Sequence, residues 1–154
     1  LNDKKGGDPM DPRHYARKVF YYETDKMGIV HHANYIRMFE EARIHFLENL
    51  NWPYHRLEEM GLMMPVLHAE CQYKVPLQFG DGFRIEMNIC EMTGVRMTIA
   101  YQLYGNEGSK VYATGLTKHA FVDANMRPIR LQRRFPDVYK ALQPDNKKDE
   151  EEKA

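Results

Sequence analysis

The chain has one serine. Ser109 lies in a Gly-Asn-Glu-Gly-Ser turn, which all but excludes a serine triad. Cysteine is almost as scarce: Cys71 and Cys90 are the two present, without metal-type spacing. A chain of 154 residues can bury a core without disulfides, so reduced thiols and a cytoplasmic location are expected. Cys90 falls in phase with Arg84, Glu86 and Asn88 on a polar face. Cys71 falls in phase with Ala69, Tyr73 and Val75 and is expected in the core. Neither has a neighbour that would activate a thiolate.

Charge of one sign is also lacking. Lysine plus arginine and aspartate plus glutamate each number 22, so the formal net charge is zero. That balance gives no reason to expect nucleic acid or an anionic membrane as the main partner. No apolar run approaches the roughly 20 residues needed to span a bilayer, and the polar start has no secretory apolar segment. No glycine-rich turn leads into Lys-Ser or Lys-Thr, so a phosphate cradle is missing. His31 and His32 are adjacent, which is expected to point their rings apart. Glu41 and His45, spaced i, i+4, read as a helix-surface pair. No metal or other cofactor is expected.

What remains is organised as one domain. Residues 1–12 are polar and rich in Gly, Pro and Asp, a flexible lead-in. Residues 144–154 are charged and nearly devoid of apolar side chains, a disordered tail. The folded unit is 13–143. Aromatic and β-branched residues predict a strand over 15–22. Tyr35, Phe39, Ala42, Phe46 and Leu50 form one apolar stripe and predict a helix over 34–50, with Asn34 as N-cap. A short helical turn follows Pro53 and stops at Gly61. Strict alternation around Phe83–Ile89 and Val95–Leu103 predicts half-buried strands. Further strands are expected over 63–77, as an edge strand, and over 111–123. Phe135, Val138, Tyr139 and Leu142 predict a closing helix. A curved, mainly antiparallel five-stranded sheet wrapped round one long helix, an α+β fold, satisfies this order.

The candidate chemistry sits in Tyr22-Glu23-Thr24-Asp25-Lys26-Met27-Gly28-Ile29-Val30-His31-His32-Ala33-Asn34-Tyr35. Asp25 can be read as a turn residue. It can equally act as a carboxylate toward an electrophile. Gly28 permits close backbone approach, and the helix start near His32 to Asn34 leaves N–H groups suited to an oxyanion.

This run, continued by Ile36-Arg37-Met38-Phe39-Glu40-Glu41-Ala42-Arg43, resembles the signature of the 4-hydroxybenzoyl-CoA thioesterase-like branch of the hotdog-fold superfamily. Pro76-Leu77-Gln78-Phe79-Gly80-Asp81 resembles its strand-to-hairpin turn. The run from Ala113 to Asp123, with Arg127-Pro128 after it, resembles its last strand. The resemblance implies a hotdog fold that joins sheets into a homodimer, often a homotetramer. It implies hydrolysis of an acyl-CoA substrate to free acid and CoA, without a cofactor. By position it makes Asp25 the catalytic carboxylate and His32 the residue whose backbone N–H polarises the thioester carbonyl. In a bacterial acyl-CoA thioesterase subgroup the imidazole at that position assists. Gly28, Val30, Ala33 and Asn34 would surround the substrate. The chain departs from the pattern at Glu23, where the family has Asp, and at His31, where it has Tyr or Phe. His31 is read as a bystander. Trp52, Tyr54, Met60, Met63 and Met64 are candidates for an acyl pocket or for ordinary core. His119, Glu41 and Arg43 read as structural. A hotdog acyl-thioester dehydratase and a non-catalytic acyl-CoA-binding module are the alternatives.

Overall fold

A computed structural model of the chain describes residues 11–106 and 108–144. Most of the expected lead-in and tail, residues 1–10 and 145–154, lies outside the described residues. Five strands, β1 (His14–Lys18), β2 (Val66–Tyr73), β3 (Gly82–Met92), β4 (Arg96–Gly105) and β5 (Val111–Ala120), form one sheet in the order β1-β3-β4-β5-β2. Every neighbouring pair is antiparallel. The sheet carries one long helix, α1 (His32–Asn49), and shorter ones, α2 (Tyr54–Glu59), α3 (Leu131–Arg134) and α4 (Pro136–Ala141). This is the hotdog arrangement that the resemblance implied.

The alternation of β3 and β4 is matched by alternating burial. Phe83, Ile85, Met87 and Ile89 of β3 and Met97, Ile99, Tyr101 and Leu103 of β4 are buried, all on the face toward α1. Val95 lies before β4 and is exposed. Phe39 of α1 stacks on Tyr101 with ring centroids 4.6 Å apart. Gly115 of β5 makes room for that ring, since a Cβ there would collide with Phe39 Cε2. Phe39→Ala would forfeit about 3–5 kcal/mol.

Several boundaries differ from expectation. The first strand ends at Lys18, not at 22. The Phe20 N–H is taken by the Glu23 carboxylate at 2.8 Å, and Tyr21–Glu23 turn as a 3-10 helix. The long helix starts two residues earlier than expected. Its N-cap is His31, not Asn34, which lies within the first turn. The strand expected over 63–77 shrinks to Val66–Tyr73, leaving Pro65 and Pro76 outside it. It does form an edge of the sheet, and nearly all of it is exposed. The strand expected to reach 123 stops at Ala120, where Phe121 N–H turns to the Val95 carbonyl. Cys71 is half-buried and Cys90 exposed.

Candidate active site

The segment before α1 is a tight loop. Asp25 N–H donates to Ile29 O and Gly28 N–H to Asp25 O, both at 2.9 Å. Gly28 has φ +80°, a left-handed conformation that favours glycine. One carboxylate oxygen of Asp25 accepts the Met27 N–H at 2.8 Å, so the turn role is real. The other oxygen accepts nothing among the described residues. Val30 N–H then donates to Leu77 O at 2.8 Å, and His31 N–H to Glu23 O at 2.9 Å, which aims the chain into the helix.

The first turn of α1 leaves one donor over. Ala33 N–H donates to the His31 Nδ1 at 3.1 Å, and Asn34 N–H to His31 O at 2.9 Å. Among the described residues nothing accepts the His32 N–H. That donor carries the partial positive charge of an 18-residue helix. His31 is thus a capping residue, not a bystander. Its ring also stacks on His32, centroids 4.1 Å apart, where divergence was expected. The extended backbone of His31 followed by a helical His32 brings the rings together.

Asp25, Val30 and His32 line one cleft of about 310 Å³, together with Tyr35, Tyr73 and Lys74. The Tyr73 hydroxyl donates to His32 O at 2.8 Å, tying the end of β2 to the helix start. Although the residue is half exposed, partial desolvation of its hydroxyl, with Cys71 and Tyr35 beside it, pushes the Tyr73 hydroxyl up to about 12, so it remains a protonated donor. Its ring meets Tyr35 edge-on at 5.1 Å. Gly28, Ala33 and Asn34 are not among the cleft's lining residues; they shape the backbone behind it. Asn34 does so through its side chain, whose Nδ2 donates to Glu23 O at 2.8 Å. Of the suggested acyl-pocket residues, none lines this cleft. Tyr54 and Met64 lie in the interior near Arg43 and His119. Among the described residues no three His, Cys, Asp or Glu side chains are grouped to hold a metal, and no helix is long and apolar enough to cross a membrane.

A model of the thioesterase-like superfamily matches residues 19–144. The chain belongs to that superfamily. It is 31% identical over 126 residues to the acyl-CoA thioesterase YbgC of Haemophilus influenzae, covering 80% of this chain and 88% of that one. The crystal structure of a hypothetical protein from Aquifex aeolicus superposes with a TM-score of 0.78 at 38% identity, over 84% of this chain and 98% of that one. A DHNA-CoA thioesterase from Staphylococcus aureus superposes equally well, TM-score 0.78, at 29% identity over 83% and 86% of the two chains. The superfamily match covers both the Asp25 loop and the β2 end that faces it. Tyr73 and Lys74 escaped sequence reasoning because they reach the cleft from a distant strand. The one available signal was that an edge strand must end somewhere near the helix start.

Proposed function

We propose that this chain hydrolyses acyl-CoA thioesters to free acid and CoA, with Asp25 as the reacting carboxylate and the start of α1 as the oxyanion hole. The reaction class rests on the superfamily and on relatives named as acyl-CoA thioesterases. The observation that carries the site is the pairing, on one cleft, of a carboxylate with one oxygen unbonded and a helix-start N–H with no acceptor, both among the described residues. A thioester oxygen at the His32 N–H would gain stabilisation as charge builds on it. Asp25 then either attacks the carbonyl carbon, expelling the CoA thiolate and leaving a mixed anhydride for water, or deprotonates the attacking water.

Asp25→Asn tests the assignment. The variant keeps the turn, because its amide oxygen can still accept the Met27 N–H. Its thiol-release rate should fall by about 10²–10⁴-fold. Turnover at the wild-type rate overturns the reading. A panel of short, long and aromatic CoA esters, assayed by thiol release, then sets the substrate. Aromatic esters come first, because Tyr35 and Tyr73 wall the cleft.

The active form we propose is at least a dimer. Strand β2 (sequence VLHAECQY) exposes its edge, along with Val66, Leu67 and Tyr73, and has no proline or lysine to discourage pairing. A second copy of β2 would cover it and close the Tyr73 side of the cleft. Light scattering that gives a monomer would contradict this.

A further inference from the structure

Glu23 is buried, which is unusual for a carboxylate. It stands where the sequence departs from the family pattern, two residues ahead of Asp25. Its side chain accepts a bidentate pair from Arg17, Nη1 at 2.6 Å and Nη2 at 2.8 Å, and the Phe20 N–H at 2.8 Å. Its carbonyl oxygen accepts the His31 N–H at 2.9 Å and the Asn34 Nδ2 at 2.8 Å. Arg17 is equally committed. Its Nε and Nη2 also donate to Glu41 of α1, at 2.8 and 3.0 Å, and its Nη1 to Lys18 O at 2.9 Å. All of the guanidinium's donors are therefore used. The rings of Phe20 and Phe83 lie 4.6 and 5.0 Å from its centre.

One residue thus fixes two distances at once. The side chain of Glu23 anchors the loop that bears Asp25 to β1. Its carbonyl anchors the cap and first turn of the helix that bears the His32 N–H. We infer that the Arg17–Glu23 pair is a positioning device, which sets the separation between the Asp25 carboxylate and the His32 N–H through Glu23 O. Glu41, on the other side of the same guanidinium, holds the body of α1 and does not reach the loop. This inference rests on the reading of Asp25 and His32 given above.

The experiment compares Glu23→Gln, Glu23→Asp, Glu41→Gln and Asp25→Asn, each by thermal melting and by thiol-release kinetics. Glu23→Gln should keep KM within about threefold and lose about 10–100-fold in kcat, the cost of misplacing reacting groups by an ångström or less. Glu23→Asp retains the charge and should recover part of that kcat. Glu41→Gln should lower the melting temperature comparably yet leave kcat within about threefold, because the loop remains held. Equal kcat losses in Glu23→Gln and Glu41→Gln overturn the inference, since a merely structural role would produce them. So does wild-type kcat in Glu23→Gln when Asp25→Asn is inactive. An active Asp25→Asn overturns the active-site reading and the positioning role with it.

Discussion

Two arginines in this protein solve the same problem in opposite ways. Arg17 lies at the junction of β1, the Asp25 loop and α1, between two carboxylates. Arg43 lies on the core side of α1, buried, and its nearest carboxylate is Glu40 at 3.9 Å. Arg43 Nη1 meets the Tyr101 hydroxyl at 3.2 Å, and its Nε has no partner among the described residues. Tyr101 and His119 both bond to the Thr117 hydroxyl at 2.8 Å, which makes a buried polar chain inside the apolar core. Around Arg17 the charge is compensated. Burial works against the Glu23 carboxylate, but Arg17 and the Phe20 N–H hold its pKa below the ordinary range. Around Arg43 the charge is only weakly compensated, by Glu40 at 3.9 Å, and a neighbour adjusts: His119 is pushed down to about 4, by burial first and by the Arg43 guanidinium second. A cation beside the site is thus built into a clamp, whereas a cation in the core is merely tolerated.

The sharpest way to break this comparison is to replace each arginine by methionine, which keeps much of its volume. Arg17→Met strands Glu23, a buried carboxylate, without its cation. Urea unfolding should show a loss of about 3–5 kcal/mol. Arg43→Met removes a buried charge whose ion pair with the exposed Glu40 is long, 3.9 Å, and an Nε that has no acceptor among the described residues. Its stability should stay within about 1 kcal/mol of wild type, or rise. If the two losses are equal, or reversed, the distinction between clamp and tolerated charge is wrong.

The same contrast explains what could be read beforehand. The helix stripe Tyr35, Phe39, Ala42 and Phe46 was legible because one helical face repeats every 3.6 residues. Met38, Arg43 and Leu47 are buried too, because a curved sheet covers more of the helix than one stripe. Arg43 reads as a structural residue, but its burial could not be found this way, because the periodicity marks apolar positions and not a charged one beside them. The alternation of β3 and β4 was legible because one of their faces is buried, whereas the limits of β2 were not, because an exposed edge strand carries no such alternation. Asp25 and the helix start could be read as a motif. The Arg17–Glu23 pair could not, since it crosses from a strand to a turn and follows no helical or strand spacing. The His31 cap was hidden for a related reason. Capping by an imidazole depends on a single hydrogen bond, where the usual signal is Ser, Thr, Asp or Asn.

Acid separates the two clusters next. His119 has a folded pKa of about 4 against an ordinary 6.5. The unfolded chain therefore binds more protons between those values, and stability falls as pH drops through that window. The stability linked to keeping His119 neutral is complete above about pH 6.5. It is lost by about pH 4, with a total on the order of 3 kcal/mol. Glu23 has a lowered pKa, so its contribution is present above the ordinary carboxylate value of 4.5 and is lost only as pH falls through its own depressed value. Unfolding free energies measured from pH 8 to pH 3 should show the His119 slope first and the Glu23 slope below it. His119→Gln should flatten the upper slope and leave the lower one in place. An unchanged upper slope in that variant would assign it to another group.

The smallest effect reads the Arg43–His119 interaction directly. Burial, the larger cause of the His119 shift, survives when Arg43 becomes Met; the repulsion from the guanidinium does not. The His119 ring, followed by NMR during a pH titration, should therefore titrate above its wild-type value of about 4 but still below 6.5. A return all the way to 6.5 would mean that the guanidinium, not burial, holds the imidazole neutral. No movement at all would mean that the charge of Arg43 is already screened within the core. Arg43 would then be compensated just as Arg17 is, by a route other than carboxylates.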